Sequence, residues 1–465
     1  MNVTKVVCIG AGSFSFGMSS LVTLLKSEIL RGSELVLVDS NPEALDLMSS
    51  LAHWLNDAWG CGKKISSYSH HHQALAQTRA DFVVSAIEVP PREELWQKDY
   101  EISLKYGLRQ PYAENGGPGG FAHAARNVLP VLDIVYDMET LCPDAWFINF
   151  TNPMQRMCAL IHRYSEIKVV GLCHQLGAGY AMVAKALADD LGLGAADDFV
   201  STHADVANFE PMARLGLLGY QNLKILAAGL NHFTWMLDLR HRETGEDLYP
   251  LFRERWQGLD AKFEPLTREV FETFGLFPIP GDEHLCEYLP WVSDPLTKPW
   301  EKYDLSLYDW QERACARETE WLRIKQILTD KEDADQFYVP FSEGAIEVIE
   351  NIITNGNFLW EAVNIPNRGT IPNLPEDAII EVPGLISARG IDGVPIGALP
   401  GAIAELLCRE ITVSHLCVDS VVHGDRKLAL QCLLLDPNIR DIDMARAILD
   451  DTLLTYREYL PQFWE

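Results

Sequence analysis

Apolar residues in the first part of the chain come in short, unbroken runs. Thr4–Ile9 (TKVVCI), Leu35–Val38 (LVLV), Asp81–Ile87 (DFVVSAI), Ala145–Phe150 (AWFINF) and Lys168–Leu172 (KVVGL) each end in polar or turn residues. Runs of this kind predict strands buried on both faces, as in a parallel sheet. Between them lie stretches with helical spacing, as at Leu21, Leu24 and Leu25. Alternating strands and helices predict an α/β fold with a doubly wound parallel sheet over residues 1–195. Residues 196–465 show no repeat, low-complexity segment or linker, and are expected to form an α+β domain packed intimately on the first. Asn115–Gly120 (NGGPGG), Pro278–Gly281 (PIPG) and Asn364–Leu374 read as ordered loops, and Glu376–Leu434 as mixed strand and long helix.

The first strand runs into Gly10-Ala11-Gly12-Ser13-Phe14-Ser15-Phe16-Gly17. A dinucleotide fingerprint would place its third glycine at position 15, where this chain has Ser15. The second strand ends at Asp39, 22 residues after Gly17. An acid at that place accepts both ribose hydroxyls of an adenosine and repels a 2′-phosphate. The context therefore predicts a Rossmann-like domain that binds NAD through Gly10, Gly12, Ser13, Phe14 and Asp39. Ligands of such sheets lie beyond the carboxyl ends of the strands, where Glu88, Asn152 and Cys173 also fall. The run His70-His71-His72 sits in a polar stretch, and adjacent histidines cannot all face one ion, so it reads as a solvated loop.

Composition narrows the partners. The chain has 465 residues, 66 acidic and 38 basic, for a formal net charge of −28. Such a surface repels phosphate backbones and anionic membranes, which argues against nucleic acid or a membrane as a partner. No long uncharged apolar stretch predicts a transmembrane helix. Ten cysteines without short regular spacing do not form a disulfide framework, so a reduced, cytoplasmic protein is expected. Cys173 and His232 stand out, but a lone buried cysteine is usually a small hydrophobe and a lone histidine a satisfied core group.

The order of motifs adds to this picture. Gly10 through Asp39, Asn115–Gly120, Asn152-Pro153, Gly171-Leu172-Cys173-His174, Asn231-His232, Gly281–Pro290 and Asn364–Gly369 together resemble glycoside hydrolase family 4. That family uses NAD and a divalent metal in place of a carboxylate pair. The resemblance implies an α-glycosidase with NAD and Mn2+ as cofactors, Cys173 and His232 as metal ligands, and Asn152 on the sugar hydroxyls near the metal. It implies oxidation of C3 by NAD, which acidifies C2. Loss of the C2 proton then expels the C1 aglycone, water adds, and the hydride returns. His174 is the candidate acid for the leaving oxygen. Asp282 and His284 rank equally as the C2 base, ahead of Tyr288, and Arg368 could clamp a substrate carboxylate. A homodimer or homotetramer is the family expectation.

Cys173 and His232 lie 59 residues apart, wider than in many members, with the extra length expected around Asp197–Asn222. His203 in that segment is a rival ligand. His174 resembles the galactoside and uronide branches, and most of the chain resembles the α-galacturonidases, although Cys173-His174-Gln175-Leu176 matches no subgroup pattern. The small-molecule substrate is thus expected to be a galacturonide, a related uronide or a galactoside. An NAD-dependent dehydrogenase of a sugar or hydroxy acid is the alternative, because fold does not fix function. A non-catalytic NAD-binding sensor is the third reading.

Overall fold

The structure, a computed structural model, describes residues 3–13, 17–110, 112–194, 196–203, 206–330, 333–337 and 343–465. Phe14, expected at the glycine turn, lies outside the described residues. The first half runs β1 (Lys5–Ile9), α1 (Gly17–Lys26), β2 (Glu34–Val38), α2 (Pro42–Ala58), β3 (Lys64–Tyr68), α3 (His71–Thr78) and β4 (Phe82–Ser85). It continues α4 (Arg92–Lys105), α5 (Gly117–Leu141), β5 (Trp146–Asn149), α6 (Met154–Tyr164), β6 (Lys168–Gly171) and α7 (Gln175–Ala186). Beyond the short α8 (Ala188–Leu191) come α9 (Val206–Asn222), β7 (Leu223–Leu230), β8 (Phe233–His241), α10 (Tyr249–Gly258), α11 (Pro265–Phe274), β9 (Phe277–Pro278) and α12 (Gly281–Tyr288). The chain closes with α13 (Pro299–Lys302), α14 (Trp310–Asp330), α15 (Ala345–Thr354), β10 (Phe358–Pro366), β11 (Ile379–Ser387), β12 (Gly390–Gly393), α16 (Gly401–His423), α17 (Arg426–Leu435) and α18 (Ile442–Thr455).

Among the described residues, twelve strands form one sheet in the order β3-β2-β1-β4-β5-β6-β10-β11-β7-β8-β9, with β12 on β11. The first six are parallel, in the doubly wound order, and every one of the five expected strands is present. β3 (KISSY) escapes the sequence pattern because it is an edge strand with Ser66 and Ser67 in place of an apolar run. Val6 and Cys8 of β1 enter one core cluster while Val7 and Ile9 enter another, so both sheet faces are covered. β10 attaches antiparallel to β6, with Asn364 opposite Gly171, and carries the sheet into the second half. A third apolar cluster, including Tyr180, Leu215, Trp256 and Phe277, fills the far end.

Two local expectations change. Gly117–Gly120 is no loop: it forms the first turn of the 25-residue α5, with Pro118 where a helix tolerates a missing N–H. His71 and His72 likewise open α3, and His71 Nε2 lies 3.1 Å from Asp137 of α5. All ten cysteines are free thiols. No helix among the described residues is long and apolar enough to cross a membrane.

One buried ion pair locks the helices behind the glycine-rich turn. Arg126 of α5 donates from both terminal nitrogens to Asp99 of α4, each at 2.7 Å, and Tyr456 after α18 donates to the same carboxylate. Removing one partner strands a buried charge. The Arg126→Met protein should lose about 3–5 kcal/mol of stability, and Arg126→Met/Asp99→Leu should recover most of it, as read from urea or thermal unfolding.

Candidate functional site

β1 runs into Gly10, whose φ of +81° is open to glycine, and an added Cβ would meet Ala86 O at 2.5 Å. The chain can thus turn tightly between β1 and β4, where the strand order reverses. A cleft of about 760 Å³ opens there, lined by Gly10, Gly12, Ser13, Asp39, Glu88 and Asn152 among others. Its size and its place beyond the strand ends suit a dinucleotide. Asp39 accepts from the Gly12 N–H at 2.8 Å and from the Asn41 N–H at 2.8 Å, which fixes its carboxylate at the cleft wall. Glu88 Oε2 lies 2.7 Å from His123 Nε2, and its Oε1 accepts from Asn127 Nδ2 at 3.1 Å. Burial opposes its charge, but His123, Arg92 and Arg126 outweigh that and bring the carboxyl down to about 2. His70 and His71 also line this cleft, a placement that the polar stretch around them did not announce.

The next strand ends carry a second cluster. Cys173 follows β6, and His232 sits in the two-residue turn between β7 and β8, where Leu230 pairs with Phe233. The Sγ of Cys173 and the Nε2 of His232 are 3.3 Å apart. His232 has a φ of +61°, a conformation that costs a histidine about 1–2 kcal/mol and needs outside support. Asn115 supplies it, with Nδ2 2.8 Å from His232 Nδ1, and Asn231 anchors the turn by donating to the buried Glu381 at 2.8 Å. The ring of His284 stacks on His232 at 3.8 Å and 13°. Ligand atoms of Glu114, His232 and His284 all fall within 4.8 Å of one another.

The electrostatics favour a cation. Burial, with Glu381 behind, pushes the Cys173 thiol up to about 12, so a thiolate there needs positive charge beside it. Burial and the neighbouring His284 and His174 drive His232 well below its usual range, leaving a neutral imidazole with a lone pair. Glu114 accepts from Arg92 at 2.9 Å and from Asn152 Nδ2 at 3.3 Å. Burial works against its charge, but Arg92, His284 and His123 hold the carboxyl below its usual range. A thiolate, an imidazole and a carboxylate at these separations fit a divalent ion.

Several expected residues lie elsewhere. Asp282 is buried and accepts from the Leu266 and Thr267 N–H groups at 3.0 and 2.6 Å, so it satisfies the start of α11 instead of facing the cluster. Tyr288 is a core residue, stacked on Phe233 at 4.8 Å. Arg368 is exposed, and because β10 runs antiparallel to β6, the chain beyond Asn364 leads away from Cys173 towards the amino-terminal end of β6. His174 remains at the rim, its Nδ1 3.2 Å from Glu343. His232, not His203, is the imidazole brought against Cys173.

Glu114, Asn115, Arg92 and Glu287 were not singled out from the sequence. Glu287 accepts from the N–H groups of Glu114, Asn115 and Gly116 at 2.8, 2.6 and 3.1 Å, and lies 3.0 Å from His284 Nδ1. The available signal was an acid inside the apolar run Leu285–Pro290.

Comparison with known proteins identifies the family. The family model described as "Family 4 glycosyl hydrolase" matches residues 5–190, and "Family 4 glycosyl hydrolase C-terminal domain" matches 227–439. An α-glucosidase of Erwinia rhapontici is 30% identical, over 93% of this chain and 93% of its own length. An α-galactosidase of Bacillus subtilis is 28% identical, over 99% of each chain. A 6-phospho-α-glucosidase from gut microorganisms, solved in complex with NAD and Mn2+, superposes with a TM-score of 0.78 at 20% identity, over 99% of this chain and 100% of that one. The two family models fall in chain order on the halves that bring the glycine turn and the Cys173–His232 pair together, and the chain belongs to family 4 of the glycosyl hydrolases.

Proposed function

We propose that the protein is an NAD- and divalent-metal-dependent α-glycosidase acting on α-galactosides or α-galacturonides. The observation that carries this reading is the 3.3 Å approach of Cys173 Sγ to His232 Nε2, on the strand ends just beyond the dinucleotide-sized cleft. Gly10, Gly12, Ser13 and Asp39 would hold NAD, with Glu88 at the cleft's inner end. Cys173 and His232 would hold Mn2+ or a similar ion, with Glu114 beside them. Held there, NAD would supply an acceptor and donor of hydride for the sugar C3, and the ion would supply Lewis-acid polarisation of the C3 oxygen.

The chain's own residues supply the rest. Asn152 Oδ1 is a buried acceptor without a partner among the described residues, ready for a sugar hydroxyl. Burial opposes a charge on His284, but Glu287 and Glu283 outweigh that and raise its pKa to about 9. The ring therefore takes the C2 proton only after shedding its own, which a cation beside it would favour. Its Nδ1 faces Glu287, which leaves Nε2 as the base, as in other carboxylate-oriented imidazoles. Nearly parallel stacked rings cannot both aim in-plane lone pairs at one ion, so the stacking on His232 favours proton transfer over ligation for His284. His174 protonates the leaving oxygen: burial opposes its charge, but Glu343 outweighs that and raises its pKa. The galactoside or galacturonide assignment is supported by His174 directly after Cys173 and by the α-galactosidase relative. A thiolate ligand and ten free cysteines suit a reducing, cytoplasmic setting.

Aglycone release from nitrophenyl α-galactoside or α-galacturonide should require added NAD and should not accumulate NADH in proportion to product. Chelation should abolish it and Mn2+ restore it. Stoichiometric NADH from free sugars, without aglycone release, would establish a dehydrogenase instead.

The Cys173→Ser protein should bind NAD normally by fluorescence titration but lose Mn2+ binding by calorimetry, with turnover down by more than about a hundredfold. Normal turnover would overturn the ligand assignment.

His284→Asn should cost about 10²–10⁴-fold in kcat and suppress the uptake of solvent deuterium at C2 of the product. Asp282→Asn, by contrast, should lower the unfolding temperature, while the folded fraction still exchanges C2. The reverse pattern would return the base to Asp282.

A further inference from the structure

A second cleft, of about 340 Å³, opens beside the cluster on the side away from the dinucleotide cleft. Its inner end is Cys173 and His174. One wall is the α7–α9 pair, pressed together where an added Cβ on Gly216 would meet Gly177 O at 2.7 Å. The other wall is α15 with the start of β10. Phe209, Met212, Tyr220 and Trp360 line it, and most of its exposed surface is apolar. α9 lies within Asp197–Asn222, where the extra length between Cys173 and His232 is expected.

The ionisable groups on its walls are acids, apart from Cys173 and His174. Glu343 is paired with His174, and Glu361 accepts from Tyr180 Oη and from Arg242 at 2.9 Å. Among the described residues, no lysine or arginine lines the cleft. An anion entering it would meet Glu343, Glu347 and Glu361 on an apolar wall, with the His174 imidazole already held by Glu343 and Arg242 by Glu361, and would give up hydration at a cost of several kcal/mol. A flat, uncharged group would bury its faces against Trp360 and Met212.

We propose that this cleft receives the departing aglycone, and that the aglycone it takes is a flat, uncharged apolar group such as an aryl ring, not a phosphorylated or acidic sugar. The proposal rests on the glycosidase reading above. When the C1–O bond breaks, its electron pair stays on the aglycone oxygen, a proton from His174 makes it a neutral phenol or alcohol, and the apolar walls hold the rest.

The test uses the enzyme loaded with NAD and Mn2+. By calorimetry, 2-naphthol should bind once per chain, and 2-naphthyl phosphate at least about tenfold more weakly. Ala213→Phe, which fills the cleft from α9, should weaken naphthol binding and lower the ratio of kcat/KM for 2-naphthyl over methyl α-glycoside, each by about tenfold or more. Should that variant fail to fold, judged by circular dichroism and NAD binding, Trp360→Ala is read in the same way. Cleavage of both glycosides with a ratio that neither variant moves, or naphthyl phosphate binding as well as naphthol, overturns the proposal and leaves the glycosidase reading standing. Naphthol binding that appears only on dilution to monomer would show that a second copy fills the cleft, and also overturns it. No cleavage of any glycoside removes both readings together.

Discussion

Glu287 is buried in α12, and its carboxylate accepts from three successive backbone N–H groups, Glu114 to Gly116. It also takes the Asn115 side-chain amide at 3.2 Å and lies beside His284 Nδ1. Charge-assisted hydrogen bonds of this kind contribute about 1.5–3 kcal/mol each, and they are strongest away from water. Through them one side chain from the second half of the chain orders the loop that starts α5 in the first. Asn115, so placed, reaches His232, and His284 is held flat against the same ring. The unusual backbone of His232 persists because both sides of its turn are tied, to Asn115 and, through Asn231, to Glu381.

That arrangement explains how one sheet can serve two chemistries. The parallel strands β1, β2, β4 and β5 present a long cleft suited to a dinucleotide. The next strand, β6, places Cys173 beyond it, and the antiparallel extension brings His232 from the other half against that thiol. Acidic groups at the cluster are not left to repel one another: Arg92, His123 and Asn152 hold Glu114 and Glu88 in place. A cation beside the buried thiol would favour its ionised form. The segment carrying α9 adds a wall of different character, largely apolar and with no lysine or arginine among its described lining residues, on the far side of the same cluster. The rim thus passes from a cleft suited to a nucleotide, through a polar centre, to an apolar slot.

Strands of the first half were legible because their burial is two-sided, so the apolar runs mark them directly; the one missed strand there, β3, is an edge with no fully buried residue. The glycine-rich NGGPGG reads as a loop by composition, yet close contacts with Glu287, Ala113 and Asn115 recruit it into a helix start. Asp282, Tyr288 and Arg368 lie within or near the family-like motifs, but a motif does not say which way a side chain faces. Asp282 turns to a helix end, Tyr288 to the core and Arg368 to the opposite end of the strands.

The local pattern of the chain determined the parallel strands, the tight turn at Gly10, the acid at Asp39 and the ordered motifs that mark the family, because each depends on residues close together in sequence. The approach of Cys173 to His232 across 59 residues, the support of both imidazoles through Glu287, and the apolar slot beside them were decided only by tertiary structure. These features come from packing separate elements on one sheet, where direction and burial depend on every neighbour at once, and no short stretch of sequence contains that information.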